Sequence, residues 1–301
     1  MWSLAKESFT GDSPMTARPC RSVLYIPGSK ERALEKARGL AADAIIFDLE
    51  DAVAPEEKPA ARKLLAQVLT DWDFGRRMRI VRINGFDTEW GRADADAMDE
   101  AIARGAKIDA ILVPKVNRAA DLDAVADAVP GADLWAMMET CAGMLNAAEI
   151  AAHPRLKGMV MGTNDLAKEL NSRFRPDRLP MQAGLGLCLL AGRAHGVTLI
   201  DGVYNAFKDE DGLRFECEQG RDMGFDGKTL IHPAQLDIAN AAFAPSEAEL
   251  TLARRQIAAF DEVMAQGGGV AVVDGKIVEN LHIVTARATL AKADAIAAMA
   301  E

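Results

Sequence analysis

Eight short apolar runs recur along the chain up to residue 233, and each is followed by a segment rich in Ala, Leu, Glu, Lys and Arg. The runs are apolar throughout and do not alternate with polar residues, which is typical of strands buried on both faces of a parallel sheet. The segments between them predict helices. The predicted strands fall within residues 22–28, 44–51, 79–85, 110–116, 134–140, 158–166, 198–204 and 227–233.

Eight βα units are what a (β/α)₈ TIM barrel requires. An open, doubly wound sheet is the alternative, because hydrophobic periodicity does not distinguish a closed sheet from an open one. Two features favour the barrel. No G-x-G-x-x-G follows the first strand, and polar residues stand at nearly every strand end, where a barrel gathers them on one face. We therefore predict an α/β fold, a TIM barrel over residues 18–240.

The pattern changes after about residue 236. "PSEAELTLARRQIAAFDEVMAQ" predicts a helix that begins with Ser246 and Glu249 in capping-box spacing. "VAVVDGKIVE" predicts a hairpin turning at Asp274-Gly275, and a final helix follows. We expect residues 241–301 to form a lid or oligomerisation arm, and packing filler is the equally supported alternative. Residues 1–17 are predicted to be a flexible tail.

Composition excludes some classes of function. The 301 residues carry a formal net charge of -10, which argues against a nucleic-acid-binding protein, since such a protein normally shows a basic face. No apolar run approaches the length of a membrane span, and the first residues lack the apolar core of a signal peptide. Four scattered cysteines are typical of reduced thiols. We expect a cytoplasmic protein that binds neither nucleic acid nor membranes.

Two acids follow neighbouring predicted strands. Glu139 ends the fifth strand and Asp165 the sixth, so their carboxylates can meet at one point. Two carboxylates without a nearby histidine or cysteine suit Mg²⁺, which keeps several waters and accepts further oxygens from a substrate. Two independently solvated loop acids are the alternative. Asn164 precedes Asp165 and is a candidate for substrate binding.

Arg82 interrupts the apolar strand in "VRING". A buried guanidinium needs a carboxylate partner or an anionic ligand. Glu50 and Asp51, in "AIIFDLEDAV" on the adjacent strand, are predicted to hold Arg82 and to leave one edge of its fork for a substrate oxygen. A purely structural ion pair is the competing interpretation.

The first βα loop, "YIPGSKER", offers Tyr25, Lys30 and Arg32 just before a predicted helix. Basic residues and a glycine near a helix start suit a phosphate-bearing ligand. Solvated loop cations are the alternative interpretation.

Eight motifs in order resemble the HpcH/HpaI aldolase and citrate lyase β-subunit-like family, which includes malyl-CoA lyases. The similarity runs from about residue 20 to the C-terminus. It implies a TIM barrel that binds Mg²⁺, with Mn²⁺ as the alternative, and a CoA thioester of a 3-hydroxy acid. The motifs are "RSVLYIPGS", "DLEDAV", "VRING", "LVPKV", "METCAGMLN", "GTNDLA", "IDGVY" and "GFDGKTLIHP".

The resemblance also implies roles for individual residues. Glu139 and Asp165 would hold the metal, and Arg82 would bind the thioester or enolate oxygen. The CoA portion would lie near the loop carrying Tyr25, Lys30 and Arg32. Members of the family form homotrimers or homohexamers, in which the C-terminal arm closes a neighbour's active site.

A departure from the family pattern concerns the arm. "GKIVEN" places Glu279 where the family usually has the catalytic aspartate. The carboxylate is kept, but an added methylene moves its oxygens, and a misplacement of about 1 Å costs on the order of 10²-fold in rate.

Three activities remain open from the resemblance. The first is hydrolysis of (3S)-malyl-CoA to (S)-malate and CoA, which the similarity to the family's thioesterase branch favours. The alternative is carbon–carbon cleavage of malyl-CoA, β-methylmalyl-CoA or citramalyl-CoA to acetyl- or propionyl-CoA and a 2-oxo acid. The third is a β-subunit of a larger citrate lyase complex.

Overall fold

The computed structural model describes residues 18–300, so the predicted tail over residues 1–17 lies outside the described range. The chain divides into two compact units. The first unit is Cys20–Phe243, and the second includes the residues from Ala244 onward.

The first unit is a closed barrel of eight parallel strands in sequence order. The barrel closes because β1 pairs with β8 through Val23↔Thr229 and its neighbours, which rules out the open doubly wound sheet. The predicted TIM barrel is therefore confirmed. The strands are β1 Ser22–Pro27, β2 Ala44–Asp48, β3 Met78–Arg82, β4 Ala110–Val113, β5 Asp133–Met138, β6 Leu156–Met161, β7 Thr198–Asp201 and β8 Gly227–Leu230.

Helices connect the strands and continue into the second unit. No helix within residues 18–300 is both long and apolar enough to span a bilayer. Short 3₁₀ turns lie at Pro55–Glu57 and Pro233–Gln235. The helices are α1 Glu31–Ala37, α2 Lys58–Asp71, α3 Gly91–Ala103, α4 Ala120–Ala128, α5 Cys141–Leu145, α6 Ala147–Ala151, α7 Thr163–Glu169, α8 Gln182–His195, α9 Glu210–Met223, α10 Leu236–Ala242, α11 Glu247–Ala265 and α12 Asn280–Ala300.

The continuous apolar character of the strands follows from burial on both faces. In β2, Ala44 and Ile46 belong to the cluster that fills the barrel interior. Ile45 and Phe47 belong to the larger cluster shared with the surrounding helices. Successive side chains of a strand point to opposite faces, so a strand between two apolar layers has no position for a polar residue until it ends.

The second unit has the predicted helix, hairpin and helix. Ser246 caps α11 in a capping box with Glu249, as its spacing predicts. The antiparallel strands β9 Ala271–Val273 and β10 Lys276–Val278 turn at Asp274 and Gly275. Both turn residues have positive φ, 51° and 74°, which is the backbone of a type I′ turn. Glu279 follows β10 directly and is exposed.

Candidate active site

The carboxyl ends of the barrel strands surround a cavity of about 300 Å³. Its wall includes residues of β1, β2, β3, β5 and β6 and of the segments that follow β2, β5, β6, β7 and β8. The fold thereby brings together residues that are far apart in the sequence. The predicted site residues that line this cavity are Tyr25, Asp51, Arg82, Glu139, Asn164 and Asp165.

Arg82 is held by Asp48, a residue that the sequence analysis did not select. The two residues are direct partners in the β2–β3 register. Arg82 Nε donates to Asp48 Oδ1 at 2.8 Å, and Nη2 donates to Oδ2 at 2.6 Å. Burial opposes the charge of Arg82, but the Asp48 carboxylate raises the pKa of the guanidinium well above its ordinary value. The arginine is therefore a permanent, oriented cation.

A signal for Asp48 was present in the strand pattern. Ala44 and Ile46 lie in the barrel interior, and the two-residue period of a strand puts Asp48 on the same face. Asp48 also accepts hydrogen bonds from the backbone N–H groups of Glu50 at 2.9 Å and Ala52 at 3.1 Å. Its two oxygens thus stabilise both the arginine and the turn that follows β2.

Glu50 and Asp51, the predicted partners of Arg82, both face its Nη1. Glu50 Oε2 lies 3.0 Å from Nη1, an ion pair without hydrogen-bond geometry. Asp51 Oδ2 accepts a hydrogen bond from Nη1 at 3.4 Å. A guanidinium carries five N–H bonds. Asp48 uses two and Asp51 one, so one N–H of Nη1 and one N–H of Nη2 are left.

Lys58 fixes the backbone of the same turn. Its Nζ donates to the carbonyl oxygens of Leu49 at 3.0 Å and Glu50 at 2.6 Å. Burial lowers the pKa of Lys58, and the nearby Asp48 and Glu50 charges oppose that shift. The loop that presents the acids to Arg82 is therefore tied at both its side chains and its carbonyls.

Tyr25 lies against the guanidinium. The Arg82 Cζ is 5.0 Å from the centroid of the Tyr25 ring, a distance at which a cation is attracted to the ring face. The phenol donates a hydrogen bond to Met137 Sδ at 3.4 Å. Burial raises the pKa of Tyr25, so the phenol is neutral and acts as a packing surface.

Glu139 is nearly inaccessible, at 1% exposure. Its Oε1 accepts the backbone N–H of Lys115 at 2.8 Å. Burial, reinforced by the Glu50 charge, raises the pKa of Glu139 to about 7. The carboxylate fits only because residue 162 is glycine, since a Cβ there would stand 2.6 Å from Glu139 Oε2.

Glu139 and Asp165 fit a hard divalent cation. Asp165 lies in the first turn of α7, and its charge contributes to the raised pKa of Glu139, so the two acids repel each other across the cavity. A cation between them would remove that repulsion. Within residues 18–300 no third His, Cys, Asp or Glu joins them in a metal-binding group. Two carboxylates completed by waters and ligand oxygens are typical of Mg²⁺.

Four predicted site residues do not line this cavity. Glu50 faces Arg82 Nη1 but is not part of the wall. Lys30 Nζ lies 3.5 Å from Glu57 Oε1, and both side chains are exposed. Arg32 is also exposed. Glu279 belongs to the second unit. The contacts of Lys30 and Arg32 with CoA, and the catalytic role of Glu279, stay predictions.

Asp201, at the end of β7, belongs to a separate ion cluster. It is fully buried and accepts hydrogen bonds from Arg178 Nη1 at 2.6 and 2.8 Å. Lys228 Nζ lies 3.4 Å from its Oδ2. Burial alone would raise the pKa of Asp201, but the charges of Lys228 and Arg178 outweigh it and lower that pKa. This strand-end acid therefore stabilises the barrel wall.

The fold and the site together define an enzyme of the TIM-barrel class, with an oriented arginine and a pair of carboxylates at the carboxyl ends of the strands. Residues 21–233 match the model of the HpcH/HpaI aldolase/citrate lyase family. The chain belongs to this family, as the motifs of its sequence predicted.

Two curated relatives come from Cereibacter sphaeroides. A (3S)-malyl-CoA thioesterase is 77% identical over 282 residues, which cover 94% of this chain and 97% of that protein. An L-malyl-CoA/beta-methylmalyl-CoA lyase is 35% identical over 311 residues, with the same coverage of 94% and 97%.

A solved structure supports the same relationship. The protein CitE from Mycobacterium tuberculosis, in complex with magnesium, acetoacetate and coenzyme A, matches with a TM-score of 0.76 and 31% identity. The match covers 93% of this chain and all of that chain.

Proposed function

We propose that this chain is an Mg²⁺-dependent thioester hydrolase that converts (3S)-malyl-CoA and water to (S)-malate and CoA. The observation that carries the proposal is the identity to the thioesterase, 77% against 35% for the lyase at equal coverage. The site agrees with this reaction, because Arg82 can bind a thioester oxygen and the carboxylates of Glu139 and Asp165 can bind a cation.

Arg82 would stabilise the charge that develops on the thioester oxygen. The remaining N–H of Nη1 and that of Nη2 would donate to this oxygen, and Asp48 holds the group in place before the substrate arrives. A preorganised donor at a developing oxyanion is worth about 10²–10³-fold in rate. Glu50 and Asp51 would keep Nη1 oriented, and Asn164 would contact the substrate at the cavity wall.

Glu139 and Asp165 would hold the metal, for which Mg²⁺ is the first choice and Mn²⁺ the alternative. When bound, the metal supplies positive charge that orients the oxygens of the malyl group. The chain's own contribution is to present two carboxylates in a buried pocket where Glu139 otherwise has a raised pKa.

Glu279 would act as the general base. It would take a proton from a water whose oxygen attacks the thioester carbon. The carbon–sulfur bond then breaks, and the proton passes to the leaving CoA sulfur. We propose that Glu279 comes from the C-terminal arm of a neighbouring subunit in a homotrimer or homohexamer, and that Tyr25, Lys30 and Arg32 lie near the CoA portion. The cytoplasmic location expected from the sequence belongs to the same proposal.

Product analysis tests the reaction. The purified chain is incubated with (3S)-malyl-CoA and Mg²⁺, and free thiol, malate and glyoxylate are followed together. Thiol and malate in equal amounts without glyoxylate support hydrolysis. Glyoxylate and acetyl-CoA without free thiol contradict it and establish carbon–carbon cleavage.

Cleavage of a malyl-CoA-type substrate is the second candidate, because the lyase relative covers the same length of the chain. Both reactions need a cation at the thioester oxygen, so the barrel residues serve either. A role as a subunit of a larger lyase complex is a third candidate. Turnover of a CoA thioester by the purified chain alone would contradict that role.

A further inference from the structure

We propose that Lys115 is a positioning residue that couples the arginine cluster to the metal-binding carboxylate. This inference rests on the proposed function and assigns a role to a residue outside the predicted site. Lys115 follows Pro114 at the end of β4. It contacts both halves of the site, one with its side chain and one with its backbone.

The side chain of Lys115 binds the arginine cluster. Its Nζ donates a hydrogen bond to Glu50 Oε1, while Glu50 Oε2 faces Arg82 Nη1 at 3.0 Å. Glu50 is only 7% exposed, so its carboxylate lies between two cations away from bulk water. Lys115 therefore fixes the side chain that faces Nη1, one of the two arginine nitrogens that keep an unused N–H bond.

The backbone of Lys115 binds the metal carboxylate. Its N–H donates to Glu139 Oε1 at 2.8 Å. This hydrogen bond orients the carboxylate and does not involve Oε2, the other oxygen. A chain of contacts thus runs from Arg82 through Glu50 and Lys115 to Glu139.

The backbone conformation of Lys115 supports the same role independently of its contacts. Its φ is +51°, in the left-handed region that residues with a Cβ rarely adopt. Such conformations persist where the surrounding contacts determine them, and they cluster at functional sites. The side chain of Lys115 is 52% exposed, and solvation of the ammonium alone does not require this backbone. Here it lets one residue direct its N–H to Glu139 and its ammonium to Glu50.

The two contacts have separate consequences. Loss of the ammonium should lower kcat more than it raises KM, because Arg82 stabilises charge that develops only in the transition state. Loss of the backbone N–H should weaken Mg²⁺ binding, since Glu139 would no longer be oriented. If Lys115 served stability alone, the folded enzyme would keep its kcat, its KM and its affinity for Mg²⁺.

A pair of variants separates them. Lys115→Gly and Lys115→Val remove the same charge, but glycine adopts positive φ readily whereas β-branched valine does not. We expect both to lower kcat by about 10- to 100-fold, the effect of losing a charge-assisted hydrogen bond to a buried group. Calorimetric titration without substrate should show Mg²⁺ binding at least about fivefold weaker in Lys115→Val than in Lys115→Gly. Lys115→Arg keeps a cation and should recover kcat to within about tenfold of wild type.

Lys107 provides the control, because it is an exposed lysine before the amino end of the same strand. Lys107→Gly should leave kcat and Mg²⁺ affinity unchanged. Wild-type kcat in Lys115→Gly overturns the role of the ammonium. Equal Mg²⁺ affinity in Lys115→Gly and Lys115→Val overturns the role of the backbone. The products and the Mg²⁺ affinity of the wild type decide the proposed function separately, and kcat is read on whichever malyl-CoA reaction the wild type catalyses.

Discussion

Asp48 and Arg82 face each other across the β2–β3 register, joined by hydrogen bonds of 2.6 and 2.8 Å. Both are buried, with side chains 1% and 8% exposed. Register partners on adjacent strands present their side chains on the same face, so the pair is set by backbone pairing as well as by charge. The guanidinium that is proposed to bind the substrate is thereby oriented before any ligand binds.

Replacement of Asp48 should impair both stability and activity. Asp48→Asn leaves the buried Arg82 without its main counter-ion, and breaking a buried ion pair typically costs about 3–5 kcal/mol. We expect the free energy of unfolding, measured with urea, to fall by about 3 kcal/mol. Because the fork of Arg82 is no longer held, kcat/KM should fall by about 100-fold or more.

Asp43 offers a matched control at the other end of β2. It is 3% exposed and accepts hydrogen bonds from Arg21 Nε and Nη2, each at 2.8 Å. Asp43→Asn should therefore lower stability, while the folded fraction keeps kcat/KM within about twofold. Equal losses of kcat/KM in the two variants would mean that Asp48 acts through stability alone.

Arg82→Lys should lose most activity although the positive charge is kept. A lysine ammonium cannot bind Asp48 with two parallel hydrogen bonds and still direct two N–H bonds to a ligand. We expect kcat to fall by about 10²–10³-fold, measured by release of free thiol at saturating substrate. A reduction below tenfold would show that charge, and not the fork, is what the reaction uses.

The buried Glu139 predicts a dependence of stability on pH in the metal-free protein. The pKa of Glu139 is raised from 4.5 to about 7, so the folded state holds this proton up to a higher pH than the unfolded state does. Stability from this group therefore falls as pH rises from 4.5 to about 7, by about 3 kcal/mol in all. Glu139→Gln has no charge to bury and should lack this loss.

The comparison is made in EDTA by urea unfolding between pH 4.5 and 8. Glu139→Gln should be as stable as wild type at pH 4.5 and more stable at pH 8. Addition of Mg²⁺ at pH 8 should stabilise wild type and leave the variant unchanged, because ligand binding to the folded state raises its stability. A wild type that is the more stable protein at pH 8 without metal would contradict the assignment of Glu139 as a destabilised, metal-ready carboxylate.

Glu279 should matter for activity and not for folding. It is exposed between β10 and α12, so Glu279→Ala should leave the unfolding free energy within about 0.5 kcal/mol of wild type. We expect kcat to fall by about 10²-fold or more, the usual contribution of a general base. Glu262→Ala, an exposed acid on α11, should leave kcat unchanged.

Mixing tests whether Glu279 acts between subunits. Inactive Glu279→Ala and inactive Arg82→Ala proteins are combined under conditions of subunit exchange. If the arm serves a neighbour, some mixed active sites carry both native residues and activity returns. Absence of recovery in demonstrably mixed oligomers would refute the interchain arrangement.

The sequence alone predicted the elements of both units and favoured the closed barrel, and the pairing of β1 with β8 then decided closure. Continuous apolar runs must be buried on both faces, and eight of them alternating with helical segments are satisfied by a closed parallel barrel. Local chemistry was equally decisive at Ser246 with Glu249, and at the Asp274-Gly275 turn, because capping and turn conformation depend on residues close in the chain. Arg82, Glu139 and Asp165 were also selected from their positions at strand ends, and all three line one cavity.

Only the tertiary structure decided how these residues are partnered. Arg82 makes its two shortest hydrogen bonds with Asp48, its partner in the strand register. The sequence analysis predicted Glu50 and Asp51 as partners, and both lie near Nη1. Asp201 joined Arg178 and Lys228 in the barrel wall and not the cavity. Register, side-chain reach and burial depend on contacts between segments far apart in the chain, so local sequence pattern leaves them open.

The left-handed backbone of Lys115 and the close approach of Gly162 to Glu139 also depend on contacts between segments far apart in the chain. Glycine at residue 162 is visible in the sequence, but its reason is a carboxylate delivered by another strand. The sequence thus determined which chemical groups stand at the strand ends, and the closed barrel determined which of them are in contact.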